Sequence, residues 1–216
     1  MFKGVELIIY DLDGVLIDST KNIVESFRLL HEEIGEPFNP EDILSRIGVG
    51  LYQIFKEVLP EKYHDNLENL REIYLRNFQS LSLKHILLLP NVVETMAEMK
   101  RRRIKQSIAT NKAVTEAERI LKALKIDSYV DLYTGQGTVD KVKPEPDMIL
   151  FNLEYFGVVP ENAVFVDDTK KGLTAGIRAN VNTVGITTGN DSYKKILEVN
   201  PSSVIHNLRE LTYIIN

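Results

Sequence analysis

From about Leu81 onward, short β-like runs of this chain alternate with amphipathic helical stretches, and this alternation constrains the fold more than any other feature. Such alternation is typical of βαβ units, whose right-handed crossovers build a parallel sheet. An earlier apolar run, Val5 to Tyr10, reads as one more buried strand. We therefore predict an α/β fold with a Rossmann-like parallel sheet. The other predicted strands are Gln106–Thr110, Val130–Thr134, Ala163–Val166, Thr183–Ile186 and Ser203–Ile205.

Residues 18–81 have a different sequence pattern, because apolar residues there recur at helical spacing. One stripe contains Ile23, Phe27, Leu30 and Ile34, with Asp18 or Ser19 available as its N-cap. A second stripe extends from Tyr63 to Phe78. No strand signal intervenes. We expect an all-helical cap domain, residues 18–81, inserted into a core domain made of residues 1–17 and 82–216.

Composition narrows the class of protein. The chain has 216 residues, of which 44% are hydrophobic and 26% charged, as in ordinary globular proteins. Its net charge of −5 argues against non-specific nucleic-acid binding, and the basic run at 100–103 fits a helix C-terminus. There is no cysteine, so disulfides and thiolate sites are excluded. We expect no secretory signal, no membrane span and a cytoplasmic location.

Two carboxylates follow the first predicted strand. Asp11 and Asp13 stand one residue apart and Gly14 comes next. At the carboxyl end of a buried strand, where α/β sheets bind ligands, two crowded acids resist ionising together unless a cation lies between them. The alternative from these residues alone is an Asp-Gly turn with solvated acids.

Other strand ends also carry polar residues. Thr110-Asn111-Lys112 follows one strand, Asp167-Asp168-Thr169 follows another, and Lys143 precedes a proline between them. Carboxylates without cysteine or histidine ligands favour Mg²⁺, and the four histidines lack metal-ligand spacing. A phosphoryl group would need both Mg²⁺ and a lysine, because its charge repels an attacking carboxylate.

These segments resemble, in order, the four motifs of the haloacid dehalogenase-like superfamily of phosphohydrolases. The resemblance covers essentially the whole chain. It implies that Asp11 is the nucleophile that forms an aspartyl-phosphate and that Asp13 is the general acid/base. Thr110 matches the second motif. Lys143 matches the third better than its competitor Lys141, because of the Lys-Pro-x-Pro context.

The same resemblance implies a ligand set. Mg²⁺ would be bound by Asp11, the backbone carbonyl of Asp13, Asp168 and waters. Asp167 stands where many relatives have glycine, and Gly172 where they have a second acid. Asp167 is therefore either a water-mediated ligand or an acid behind the ligands. Predicted substrate-binding residues are Gly14, Arg46, Thr110, Asn111 and Lys143.

The helical insert is similar in position to the cap of the subfamily that includes phosphoglycolate phosphatase and β-phosphoglucomutase. Arg46-Ile47-Gly48-Val49-Gly50-Leu51 resembles the cap loop of phosphoglycolate phosphatases, although Gly48 and Gly50 also fit a simple turn. Arg46 fits either a contact with a substrate carboxylate or a solvated surface position. Asp13 argues against dehalogenation, since dehalogenase relatives generally lack that acid.

The favoured function is a Mg²⁺-dependent phosphatase acting on a small phosphorylated metabolite, as a monomer or homodimer. Two alternatives stay open at this point. The first is a phosphosugar mutase, because the mutases share a two-acid fourth motif. The second is a non-catalytic binding protein of the same fold.

Overall fold

The computed structural model describes residues 1–48, 50–81 and 83–216, so Val49 of the predicted cap loop lies outside the described residues. The chain forms eight strands in the described residues. They are β1 (Leu7–Tyr10), β2 (Ile17–Asp18), β3 (Leu87–Leu88), β4 (Lys105–Ala113), β5 (Leu132–Gln136), β6 (Ala163–Asp167), β7 (Asn182–Ile186) and β8 (Ser203–Ile205).

Ten α-helices accompany these strands in the same ranges. They are α1 (Thr20–Ile34), α2 (Pro40–Leu44), α3 (Leu51–Val58), α4 (Leu67–Ser80), α5 (Val92–Arg101), α6 (Val114–Ala123), α7 (Asp147–Phe156), α8 (Lys170–Arg178), α9 (Tyr193–Leu197) and α10 (Leu211–Ile214). Short 3₁₀ helices occupy 61–66, 83–85, 127–129, 160–162 and 208–210. No helix of the described residues is long and apolar enough to cross a membrane.

Six strands form one parallel sheet in the order β5-β4-β1-β6-β7-β8. The predicted α/β fold with a Rossmann-like sheet is confirmed. β1 lies in the middle of this sheet, and all four of its side chains are buried. This central strand is apolar because the sheet is covered on both faces.

The helices α1 to α4 lie between β2 and β3, which pair antiparallel as a two-stranded ribbon. α1 and α4 share an aromatic cluster: the Phe27 ring centroid lies 5.0 Å from that of Tyr74 and 5.7 Å from that of Phe55. One strand of the ribbon, β2, lies at the predicted boundary between residues 17 and 18. The exact domain boundaries stay a prediction.

The second helical stripe differs from its prediction at one end. Tyr63 belongs to the 3₁₀ helix 61–66, and α4 begins only at Leu67. Asn66 causes the interruption, because its backbone angles, φ −128° and ψ 40°, are not helical. The helical run from Tyr63 to Phe78 is therefore two consecutive pieces.

Candidate active site

The register of the sheet brings the predicted motif residues to one edge. Tyr10 of β1 is aligned with Ile108 of β4 on one side and with Val166 of β6 on the other. Asp11, Thr110 and Asp167 follow these positions by one or two residues. Because parallel strands end at the same edge of a sheet, their carboxyl-terminal side chains meet there.

Lys143 lies between two of the acids. Its Nζ is 2.9 Å from Asp11 Oδ1 and 2.7 Å from Asp167 Oδ2, and its side chain is only 3% exposed. Burial disfavours the ammonium, but Asp11 and Asp167 outweigh it and raise the pKa of Lys143. The lysine is therefore held protonated. The competitor Lys141 is exposed to solvent.

The loop that carries Lys143 is fastened by Asn111. The Lys143 backbone N–H donates to Asn111 Oδ1 at 2.9 Å, and Asn111 Nδ2 donates to the Lys143 carbonyl at 3.1 Å. Nδ2 also donates to the Gly48 carbonyl in the helical insert at 3.2 Å. Asn111 lines the cavity described below, but its amide group is committed to backbone partners.

Both oxygens of Asp167 are engaged. Oδ2 contacts Lys143, and Oδ1 accepts hydrogen bonds from the Thr169 backbone N–H at 2.8 Å and from Thr169 Oγ1 at 2.7 Å. The carboxylate is fully buried. Asp167 is thus placed to orient Lys143 and the start of α8.

Asp168 keeps one oxygen free. Its Oδ2 accepts from the Asn190 backbone N–H at 2.6 Å and from Asn190 Nδ2 at 3.2 Å. Its Oδ1 is buried and has no hydrogen-bond partner among the described residues. Gly14 and Gly189 close around this carboxylate: a Cβ atom at Gly14 would lie 2.3 Å from Oδ2, and one at Gly189 1.9 Å from it.

The donor set at this edge fits a hard divalent cation. Asp11, Asp167 and Asp168 each present a carboxylate oxygen within 4.8 Å of the others. Burial raises the pKa of Asp11 to about 7, with Lys143 opposing it. Burial and the charges of Asp167 and Asp11 also raise the pKa of Asp168. Crowded buried acids with an unpartnered oxygen suit Mg²⁺, which prefers carboxylate ligands.

Asp13 lines the same cavity as Asp11 and is held at both oxygens. Ser19 Oγ donates a short hydrogen bond to Oδ1, and Lys112 Nζ lies 3.1 Å from Oδ2. Ser19 was predicted as a possible N-cap of α1, but its side chain makes no capping bond. It is Asp18 that accepts from the Thr20 backbone N–H, at 3.0 Å.

Thr110 and Gly14 are two further predicted site residues. Thr110 is 2% exposed and its Oγ1 accepts from the Lys112 backbone N–H at 3.2 Å. Gly14 has a φ of +81°, which favours glycine, and its carbonyl accepts from Thr188 Oγ1 at 2.7 Å.

Arg46 is the predicted site residue that the structure does not bring to the others. Its Nε donates to Glu57 at 2.9 Å and its Nη1 donates to the Asp42 carbonyl at 2.7 Å, both in exposed surroundings. It does not line the cavity. This arrangement does not support its predicted contact with substrate and matches the alternative, a solvated surface position.

A cavity that opens to solvent lies between the sheet edge and the helical insert. Asp11, Asp13 and Thr110 line its floor, and apolar side chains of α1, α3 and α4 line its walls. The sequence prediction assigned no part in the active site to Lys112, Ser19 and Asn190, three polar residues that contact Asp13 or Asp168. Lys112 adjoins the second motif, which was a usable signal, whereas nothing local marked Ser19 and Asn190.

A family model described as haloacid dehalogenase-like hydrolase matches residues 8–186. A phosphoglycolate phosphatase of Aquifex aeolicus is 32% identical over 179 residues, covering 82% of each chain. A phosphorylated carbohydrates phosphatase of Thermotoga maritima is 33% identical and covers 95% of this chain and 99% of its own.

A solved structure shares the fold. The crystal structure of a haloacid dehalogenase-like hydrolase from Bacteroides fragilis superposes with a TM-score of 0.89, covering 96% of this chain and 99% of its own at 23% identity. At that identity the likeness concerns the fold.

Proposed function

This chain belongs to the haloacid dehalogenase-like hydrolase family, and we propose that it is a Mg²⁺-dependent phosphatase that hydrolyses a small phosphomonoester through an aspartyl-phosphate on Asp11. Phosphatases among its relatives support the reaction class. The observation that carries the mechanism is the arrangement of Lys143 and Asp13 around Asp11. Lys143 Nζ lies 2.9 Å from it, and Asp13 lines the same cavity floor.

In the first step, Asp11 attacks phosphorus, the bond from phosphorus to the ester oxygen breaks, and Asp13 gives its proton to that oxygen. Lys143 offsets the negative charge of the phosphoryl group, which otherwise repels the carboxylate. In the second step, Asp13 takes a proton from water, which attacks phosphorus and releases phosphate from Asp11. Ser19 and Lys112 hold Asp13 in position for both transfers.

Asp11 and Asp168 are the side chains proposed to hold the metal, together with the backbone carbonyl of Asp13. When bound, Mg²⁺ supplies shielding of the phosphoryl charge and orientation of its oxygens. Asp167 is proposed to act indirectly, because Lys143 and Thr169 already occupy both of its oxygens.

Phosphoglycolate and phosphorylated sugars are the first substrates to test, because relatives of this chain carry those names. Phosphate release is measured with Mg²⁺ and with a chelator, for the native chain and for Asp11→Asn. We expect Mg²⁺-dependent release that the substitution abolishes, with unchanged folding by circular dichroism. Exposed Asp140→Asn is the control and keeps the native rate. Retained activity in Asp11→Asn contradicts the nucleophile assignment.

The mutase alternative rests on the paired acids Asp167 and Asp168, which resemble the two-acid motif of mutases. A mutase would isomerise a sugar monophosphate and require an activating bisphosphate. Release of inorganic phosphate without isomerisation separates the two functions.

A further inference from the structure

Arg71, a cation in the cavity between the sheet edge and the helical insert, makes only one long ion pair among the described residues. Arg71 lies on α4, whose residues at positions 71, 74, 75 and 78 all line this cavity. Spacings of three, four and seven place them on one helix face. Arg71 therefore projects from the same wall as Tyr74, Leu75 and Phe78.

The other charged groups of the cavity above the strand ends are already paired. Lys112 lies 3.1 Å from Asp13 and 5.0 Å from the centre of the Phe78 ring. Glu116 accepts from Arg119 Nε at 2.9 Å. Neither group is free to bind a charged part of a substrate without losing a partner.

Arg71 differs from them. The guanidinium donates no hydrogen bond among the residues that the structure describes, and its closest acid, Glu68, is 3.8 Å away. The Glu68 carboxylate is 72% exposed and already accepts from Tyr52 Oη at 2.8 and 2.9 Å. The Arg71 side chain itself is only 31% exposed, so it is partly withdrawn from water as well.

We propose that Arg71 binds a carboxylate of the substrate, at the end of the molecule opposite the phosphoryl group. The substrate class is then a phosphomonoester of a hydroxy acid, with its hydrocarbon part against Leu75 and Ile54. A guanidinium is suited to this role, because its parallel N–H donors match the two carboxylate oxygens. The single charge of a carboxylate also balances the single charge of Arg71. This inference rests on the proposed phosphatase function.

The test uses pairs of esters that differ only in the terminal group. The pairs are phosphoglycolate with ethyl phosphate, 3-phosphonooxypropanoate with propyl phosphate, and 4-phosphonooxybutanoate with butyl phosphate. kcat/KM is measured for the native chain, for Arg71→Met and for Arg76→Met. Arg76 is the matched control, since it lies on the same helix but pairs with Glu33 at the surface.

In at least one of the three pairs, we expect the native chain and Arg76→Met to show a kcat/KM for the carboxylate ester that is about tenfold or more above that for the alkyl ester. This ratio corresponds to one charge-assisted hydrogen bond. Arg71→Met loses that preference. The inference is overturned if no pair shows the preference, or if Arg71→Met retains it.

Binding separates this inference from the proposed function. Dissociation constants of the same esters are measured by calorimetry in the Asp11→Asn background, where no turnover is expected. If the carboxylate ester binds more tightly than the alkyl ester, and Arg71→Met removes this difference, the role of Arg71 is supported even when no ester is hydrolysed. Equal binding of both esters of every pair, with hydrolysis of both by the native chain, refutes the role of Arg71 and leaves the phosphatase function standing.

Discussion

A Cβ atom at Gly172 would lie 1.8 Å from Oδ2 of Asp167, so the two positions cannot both carry a side chain in this arrangement. Asp167 cannot turn away without cost, because Lys143 and Thr169 hold its two oxygens. The two departures from the common fourth motif, the acid at position 167 and the glycine at position 172, therefore depend on each other. An acid at position 167 requires glycine at 172.

Gly172→Ala is expected to destabilise the protein by about 1–3 kcal/mol through overpacking. Helix propensity alone predicts the opposite sign, a gain of about 0.5–1 kcal/mol for alanine in α8. The measurement is the free energy of unfolding in urea, with exposed Lys171→Ala on the same helix as a control. In an Asp167→Ala background the penalty of Gly172→Ala should disappear. The same penalty in both backgrounds would refute the steric coupling.

Lys143→Met is expected to cost about 3–5 kcal/mol of stability, because it leaves the buried carboxylates of Asp11 and Asp167 without their cation. Activity is lost with it. Lys141→Met, two residues away and exposed, should change neither quantity measurably. Equal effects of the two substitutions on unfolding free energy and phosphate release would contradict the assignment of Lys143.

The stability of the metal-free protein is expected to fall as pH rises. Burial raises the folded-state pKa of Asp11 from 3.8 to about 7, so the folded state binds a proton more tightly than the unfolded state. The stabilisation is complete below about pH 4 and is lost as pH rises through 7, to the extent of a few kcal/mol. Midpoints of thermal unfolding from pH 5 to 8 in a chelator measure it.

Asp11→Asn provides the control for this pH dependence, because asparagine does not titrate and the slope should flatten. Mg²⁺ should raise the midpoint more at pH 8 than at pH 5, since ionised carboxylates bind it better. A native profile that is level across this range, or one as steep in Asp11→Asn, would show that Asp11 does not control it.

The strand ends of this site were predictable from sequence because each apolar run stops at a polar residue. Asp11, Thr110 and Asp168 could therefore be proposed as site residues without coordinates. The contact between Lys112 and Asp13 was not, because it depends on β1 and β4 lying side by side and on Phe78 of α4 covering the ammonium. Local pattern carries no information on such packing between the insert and the sheet.

The same reason applies to two arginines. Arg46 adjoins a glycine-containing loop that resembles a binding loop, yet its guanidinium donates a hydrogen bond to Glu57 on α3. Arg71 was not singled out, because a helix sequence does not reveal which face meets a cavity. Periodicity predicted the helical stripe from Tyr63 to Phe78, but not the non-helical backbone at Asn66.

Asp11 is proposed to carry the phosphoryl group in a covalent intermediate. Asp13→Asn is expected to slow the hydrolysis of that intermediate, and 4-nitrophenyl phosphate should form it without a proton donor, because nitrophenolate leaves unprotonated. The Asp13→Asn variant is mixed with 4-nitrophenyl phosphate and Mg²⁺, and the reaction is quenched in acid. A rapid burst of one equivalent of nitrophenolate is expected. Mass spectrometry should then find one phosphoryl group on the peptide that contains Asp11. A phosphoryl group on another residue, or a burst without any covalent adduct, would contradict the account.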